Sequence, residues 1–222
     1  MRLKNSILKI VKDLSFRTGV YRQTLFKVYH FMYEPHQLEF LLRCLRQTAD
    51  VPGACVEVGC AYGATTVFLK KYLDHLGAHK RYIAIDTFSG FVKDHAQYEV
   101  QIRGKESRLI DAFTLNRREW VSQSLSQANV SEVELVQCDA SAYDFSSCDG
   151  ISFCLIDVDL YKPIAAVLPK VYSELTKGGI IVVDDCQPHP MWDGALVAYE
   201  DFVRERGLSH EIVCEKLGVV RN

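Results

Sequence analysis

The sequence predicts an α/β protein: a doubly wound, mostly parallel sheet with an antiparallel C-terminal edge hairpin and an N-terminal helical extension. Three observations carry this expectation. Short apolar runs rich in Val and Ile recur near residues 54–58, 81–86, 133–138, 151–157 and 179–184, and a run apolar on both faces suits a strand covered on both sides. The intervening stretches are long enough for the crossovers that parallel strands need. Several runs stop on acids or glycine, as in Ile156-Asp157-Val158-Asp159 and Val183-Asp184-Asp185, and such strand ends open into ligand crevices.

Taken in order, residues 1–50 read as helical, with Leu3, Ile7, Leu8, Ile10 and Val11 on one stripe and Gly19 and Pro35 as punctuation. Pro35 fits the first turn of a helix running through Leu38, Phe40, Leu41, Leu42 and Leu45. The aromatic residues Phe16, Tyr21, Phe26, Tyr29, Phe31 and Tyr33 suit a lid or a subunit contact, so residues 1–50 form an extension and residues 51–222 the main domain. The first strand runs into Gly59 and Gly63, followed by a helix from Ala64 to Leu73. The connection from Thr87 to Glu132 exceeds an ordinary crossover, and only Asn116–Ala128 in it reads as a helix. Such insertions form binding loops, which makes Phe88, Phe91, Tyr98, Arg103, Lys105 and Arg108 substrate-side candidates. A helix beginning at Tyr161 carries Pro163 in its first turn, another spans about Asp193 to Arg206, and His210–Cys214 with Val219-Val220 form the closing hairpin around Leu217-Gly218.

Composition narrows the functional classes. With 222 residues, 48% hydrophobic and 24% charged, the chain can bury one large core. A net charge of -2 gives no electrostatic footprint for nucleic acid. No apolar run approaches the roughly 20 residues of a membrane span, and the start lacks a signal-peptide core, so a cytoplasmic protein is expected. The eight cysteines are scattered without a metal-binding spacing and read as reduced and structural.

Two ligand sites follow from the strand ends. Glu57-Val58-Gly59-Cys60-Ala61-Tyr62-Gly63 leads from a strand through a glycine turn into a helix, where backbone approaches a ligand closely and the helix N-terminus favours an anion. Only Gly59 and Gly63 are present, short of the G-x-G-x-x-G that closes on a dinucleotide pyrophosphate. Asp157, Asp159, Asp184 and Asp185, hard oxygen donors on two neighbouring strand ends, suggest magnesium or manganese.

The glycine motif, with Tyr82-Ile83-Ala84-Ile85-Asp86, Leu135-Val136-Gln137-Cys138-Asp139-Ala140, Asp157-Val158-Asp159-Leu160-Tyr161 and Asp184-Asp185 in that order, resembles the macrocin O-methyltransferase (TylF/MycF-type) family of class I S-adenosylmethionine-dependent methyltransferases, with their Rossmann-like sheet. The resemblance implies Gly59 and Gly63 against the methionine part of S-adenosylmethionine, with Thr65 donating to its carboxylate. Asp86 would accept from the ribose hydroxyls, as an acceptor-only carboxylate can. Asp139 would sit near the adenine amino group, Ala140 against the ring, and Glu57 would orient the loop or cofactor. Asp157, Asp184 and Asp185 would hold the metal. Some metal-dependent relatives place a basic residue three positions after the first aspartate, where this chain has Leu160. That leaves Asp157, Asp159, His189 and Lys162 as candidate bases, Asp159 being equally open as a fourth ligand or a helix cap.

The expected function is a metal-dependent S-adenosylmethionine O-methyltransferase acting on a hydroxyl of a sugar or glycosylated small molecule, and a homo-oligomer. A catechol or phenol acceptor is the alternative within that class. A NAD-dependent dehydrogenase and a non-catalytic binding protein of the same fold are the alternatives outside it.

Overall fold

The computed structural model describes residues 2–19, 29 and 31–222, in an N-terminal unit, Met1–Met32, and a larger one, Tyr33–Asn222. In the first, helix α1 (Arg2–Thr18) ends where Gly19 takes φ +77 and donates to Ser15 O at 2.9 Å, the left-handed stop that glycine allows. Tyr21 and Phe26, two of the expected lid aromatics, lie outside the described residues.

The larger unit begins at Tyr33, and in it helix α2 (Pro35–Gln47) buries Leu38, Leu41, Cys44 and Leu45. Each such leucine removed from water contributes about 1.5–3 kcal/mol. Strand β1 (Ala54–Val58), helix α3 (Ala64–His75), strand β2 (Tyr82–Asp86), helices α4 (Lys93–Gln101) and α5 (Arg118–Gln127) and strand β3 (Val133–Gln137) form the first half. Strand β4 (Ile151–Ile156), helix α6 (Tyr161–Ser173), strand β5 (Leu175–Val183), helix α7 (Gly194–Arg206) and strands β6 (Ile212–Val213) and β7 (Leu217–Arg221) complete it.

The seven strands lie in the order β3-β2-β1-β4-β5-β7-β6. Strands β1 to β5 pair in parallel, and β7 runs antiparallel to both β5 and β6, as the alternating runs predict. Every residue of β1 and β4 is buried, whereas β3, at the sheet edge, is half-exposed. The chain reverses direction of winding between β1 and β4, and their register fixes the site. Val58 stands opposite both Ile85 and Ile156, so Gly59, Asp86 and Asp157 emerge level at one edge. Asp157 N donates to Val58 O at 2.8 Å and Asp184 N to Ile156 O at 2.9 Å.

Two elements differ from the sequence expectation. Strand β5 starts at Leu175, four residues earlier, because Leu175 pairs with Ile151 of β4; further along, Gly178 N donates to Asn222 O at 2.8 Å and Asn222 N to Gly179 O at 3.2 Å. The long insertion also contains α4, whose buried residues are Ala96 and Glu99. A helix that buries a carboxylate has no apolar stripe to announce it.

Candidate active site

The glycine turn is built by its surroundings. Gly59 has φ +90, and a Cβ there would lie 1.8 Å from Asp157 O, so only glycine lets β1 pass the end of β4. Gly63, at φ +80, stands at the N-terminus of α3, where a Cβ would meet Val121 Cγ1 at 2.9 Å. Between them Ala61 takes φ +44 and is held from both sides. Asp86 Oδ2 accepts from Ala61 N at 2.9 Å, and the Asn116 amide donates to Ala61 O at 2.7 Å. Asp86 Oδ1 accepts from Phe88 N at 2.7 Å. Burial raises the Asp86 carboxyl above its ordinary range, and these backbone donors pull it back.

Glu57 is 1% exposed, and its Oε2 accepts from the Tyr82 hydroxyl at 2.8 Å. Burial pushes it up to about 7, against the pull of the nearby Thr66 and Tyr82 hydroxyls. Of these two, Tyr82 makes the well-formed bond; Thr66 Oγ1 has no partner of good geometry. Thr65 lies half-buried in the first turn of α3. Asp139 Oδ1 accepts from Ser141 N at 2.9 Å and Ser141 Oγ at 2.6 Å, which closes a turn that buries Ala140. The other oxygen of Asp139 lies 3.9 Å from His95 Nε2.

Beside this turn stand the four acids. Asp157, half-buried, accepts through Oδ2 from the Tyr33 hydroxyl at 2.9 Å. Burial, then the charge of Asp184, raises Asp157 well above the usual carboxylate range. Asp159 and Asp185 both adopt φ +56, a left-handed geometry that aspartate tolerates better than most residues. Burial and then Asp185 raise Asp159 well above its ordinary range. Asp184, 3% exposed, is pushed up to about 6 by burial first and Asp185 second, and its Oδ1 is buried without a hydrogen-bond partner.

Asp159 does not cap α6. The Tyr161 N–H at that terminus donates instead to Glu99 Oε1 at 2.7 Å, and Glu99 is held in turn by Arg103 Nε at 2.7 Å. The insertion is therefore latched to α6, and Arg103 and Lys105 reach Asp193 at 2.5 and 2.6 Å. Phe88 is a core residue at 2% exposure. Phe91 joins Phe113 and Trp192, with ring centroids 5.4 to 6.4 Å apart, over a small core containing Leu160 and Met191. His189 is exposed, and its Nδ1 accepts from Met191 N at 3.1 Å and Trp192 N at 3.0 Å. That nitrogen serves to turn the loop.

A family profile, Macrocin-O-methyltransferase (TylF), matches the chain over residues 25–219. The chain belongs to the macrocin O-methyltransferase (TylF) family. It is an S-adenosylmethionine-dependent O-methyltransferase, which sets aside the dehydrogenase reading. Among solved structures it resembles the O-methyltransferase NovP, with 17% identity, a TM-score of 0.72, and coverage of 87% of this chain and 82% of that one. It also resembles the calicheamicin methyltransferase CalS11, with 20% identity, a TM-score of 0.66, and coverage of 100% and 93%. At these identities the likeness is one of fold. No curated protein matches the chain significantly.

The residues present fit the methyl donor. The cradle at Gly59 is one that a Cβ would fill, and Asp86, whose oxygens each keep a lone pair free, stands at its rim. They do not fit the expected metal in the same way. Asp157, Asp184 and Asp185 supply suitable oxygens, but among the described residues no three His, Cys, Asp or Glu side chains are grouped to hold an ion. Two of these acids are instead partnered by Lys216, whose Nζ donates to Asp184 Oδ2 at 2.9 Å and to Asp185 Oδ1 at 3.1 Å. Sequence reading missed Lys216 and Glu99 and gave Tyr33 and Asn116 other roles, a lid aromatic and a helix start, since none of the four sits in a recognisable site motif.

Proposed function

We propose that the enzyme methylates a hydroxyl of a sugar or of a glycosylated small molecule, with Asp159 taking the hydroxyl proton. The observation that carries this reading is the close passage of Gly59 by the Asp157 carbonyl, where an added Cβ would lie 1.8 Å from Asp157 O, so that the glycine turn and the acid cluster are neighbours. A sugar acceptor is supported by the family and by CalS11, described as a TDP-rhamnose 3'-O-methyltransferase. It is supported too by Phe91, Phe113 and Trp192, whose ring faces suit the C–H face of a sugar. A phenolic acceptor is the second reading, favoured by the same three rings.

When bound, S-adenosylmethionine supplies a methyl carbon on a sulfonium sulfur as the electrophile. The protein has to hold the acceptor oxygen in line with that carbon and remove its proton. Glycine at 59 and 63, Thr65 and Asp86 position the donor; Asp139 and Ala140 line the base side, and Glu57 ties β1 to β2 through Tyr82. Asp157 is held by Tyr33, and Asp184 and Asp185 by Lys216. Asp159 alone of the four accepts no donor hydrogen bond from a described residue. Burial and then the neighbouring Asp185 raise its proton affinity, so that its ionised form is a stronger base than a free carboxylate. Asp159 would receive the hydroxyl proton as the acceptor oxygen takes up the methyl group that bound S-adenosylmethionine would supply. No step is assigned to a metal.

Calorimetric titration with S-adenosylhomocysteine, with NAD as comparison, tests the cofactor site, and a screen of sugar and phenolic hydroxyls tests the acceptor. Asp159→Asn is expected to bind S-adenosylhomocysteine as the wild type does while losing about 10²–10⁴-fold in turnover, the range for a general base. Unchanged turnover would refute the role of Asp159, and failure to bind S-adenosylhomocysteine would refute the reading as a whole.

A further inference from the structure

We propose that Lys216 is the resident cation of the acid cluster and withholds Asp184 and Asp185 from a divalent metal. The inference deepens the reading of this site but rests on the geometry of the cluster rather than on methyl transfer.

Three features make Lys216 a built-in group and not a passing surface contact. First, its ammonium bridges two carboxylates from the end of β5, at 2.9 and 3.1 Å, with its own side chain only 12% exposed. Second, the same Nζ lies 4.9 Å from the centroid of the Tyr33 ring, and the hydroxyl of that ring donates to Asp157. One tyrosine thus offers a π face to the cation and a proton to the neighbouring acid. Third, the backbone of Lys216 is fastened: Cys186 N, one residue beyond Asp185, donates to Lys216 O at 2.7 Å. The turn before it is held as well, since Gln37 Nε2 donates to Cys214 O at 3.1 Å and His36 meets Glu215 at 2.8 Å. Cys214 and Glu215 both take positive φ, 49° and 66°, which fixes the hairpin tip that aims the lysine at the acids.

Electrostatics gives such a cation a purpose. Four carboxylates gathered on two adjacent strand ends repel one another, and a buried acid pair needs a counter-charge. A divalent ion and an ammonium answer the same need at the same oxygens, so they compete. An ion binding Asp184 and Asp185 has to displace Lys216 from both carboxylates and from the Tyr33 ring, which weakens its apparent affinity. Asp184 Oδ1, buried and unpartnered, is the oxygen left over when one ammonium serves two carboxylates.

The test is manganous-ion binding, followed by loss of the free-ion electron paramagnetic resonance signal. It uses the full chain as wild type, Lys216→Met and Lys216→Arg, with circular dichroism and S-adenosylhomocysteine titration as controls of folding and of the cofactor site. Removing a competing charge at contact distance is expected to tighten binding by at least about tenfold. Lys216→Met should therefore bind one Mn2+ at least that much more tightly than wild type, and Asp184→Asn added to it should remove the gain. Lys216→Arg, which keeps the charge, should stay as weak as wild type. Tight stoichiometric binding by the wild type overturns the proposal whether or not Lys216→Met folds. So does a folded Lys216→Met that binds no better than wild type. Loss of S-adenosylhomocysteine binding by the wild type would instead strike the methyltransferase reading and leave this one standing.

Discussion

Glu57→Gln should make the protein more stable at alkaline pH and flatten its pH profile. Glu57 is 1% exposed in the middle of β1, and burial lifts its carboxyl from 4.5 to about 7. A carboxyl raised on folding keeps a proton that the unfolded chain has already released. Stability is therefore fully present below the unfolded value and falls as pH rises toward the folded value, remaining low above it. At about 1.36 kcal/mol per pKa unit, the loss attributable to Glu57 between pH 5 and 8 is about 2–3 kcal/mol. Glutamine is close in shape, and its carbonyl oxygen can accept from the Tyr82 hydroxyl as Glu57 Oε2 does at 2.8 Å. Asp184, raised to about 6, adds a fall of the same sign in both proteins and cancels in the comparison. Urea denaturation of each protein at pH 5 and pH 8 gives the four stabilities required. The variant is expected to gain about 2–3 kcal/mol on the wild type in going from pH 5 to pH 8. A gain below about 0.5 kcal/mol would refute the assignment of a buried proton to Glu57.

Two further substitutions probe the cofactor turn. Gly59→Ala places a methyl 1.8 Å from Asp157 O at a φ of +90. Left-handed strain alone costs about 1–2 kcal/mol, so thermal unfolding should show at least that loss together with weakened S-adenosylhomocysteine binding; a neutral effect on both would contradict the close passage of β1 and β4. Asp86→Asn leaves one of two backbone donors, Ala61 N or Phe88 N, facing an amide N–H. It should destabilise the fold by about 1–3 kcal/mol and weaken S-adenosylhomocysteine by tenfold or more, as calorimetry would report; unchanged affinity would remove Asp86 from the cofactor site.

The sequence by itself determined the sheet, because buried parallel strands advertise themselves as apolar runs such as Ile151–Ile156, and their ends as glycine or acid. It also determined the identity of the groups at those ends, from Gly59 through Asp86 and Asp139 to Asp184, and with them the family. Local pattern is enough for such features, since a strand and the turn that follows it are contiguous. Helix α4 escaped because its inward face is Ala96 and Glu99, a pair without hydrophobic period.

Which groups partner the acids is set by the fold and is not legible along the chain. Asp159 was open as base, ligand or helix cap, and the cap is ruled out by Glu99, which lies 62 residues from Tyr161 in the chain. Tyr33 reaches Asp157 across a separation of 124 residues, and Lys216 reaches Asp184 across 32. A tyrosine before a helix and a lysine at a hairpin tip look like ordinary packing and ordinary surface until the chain closes. What converts them into the partners of a buried charge is the folded sheet, which carries β7 alongside β5 and so sets an ammonium where the carboxylates alone suggested a metal.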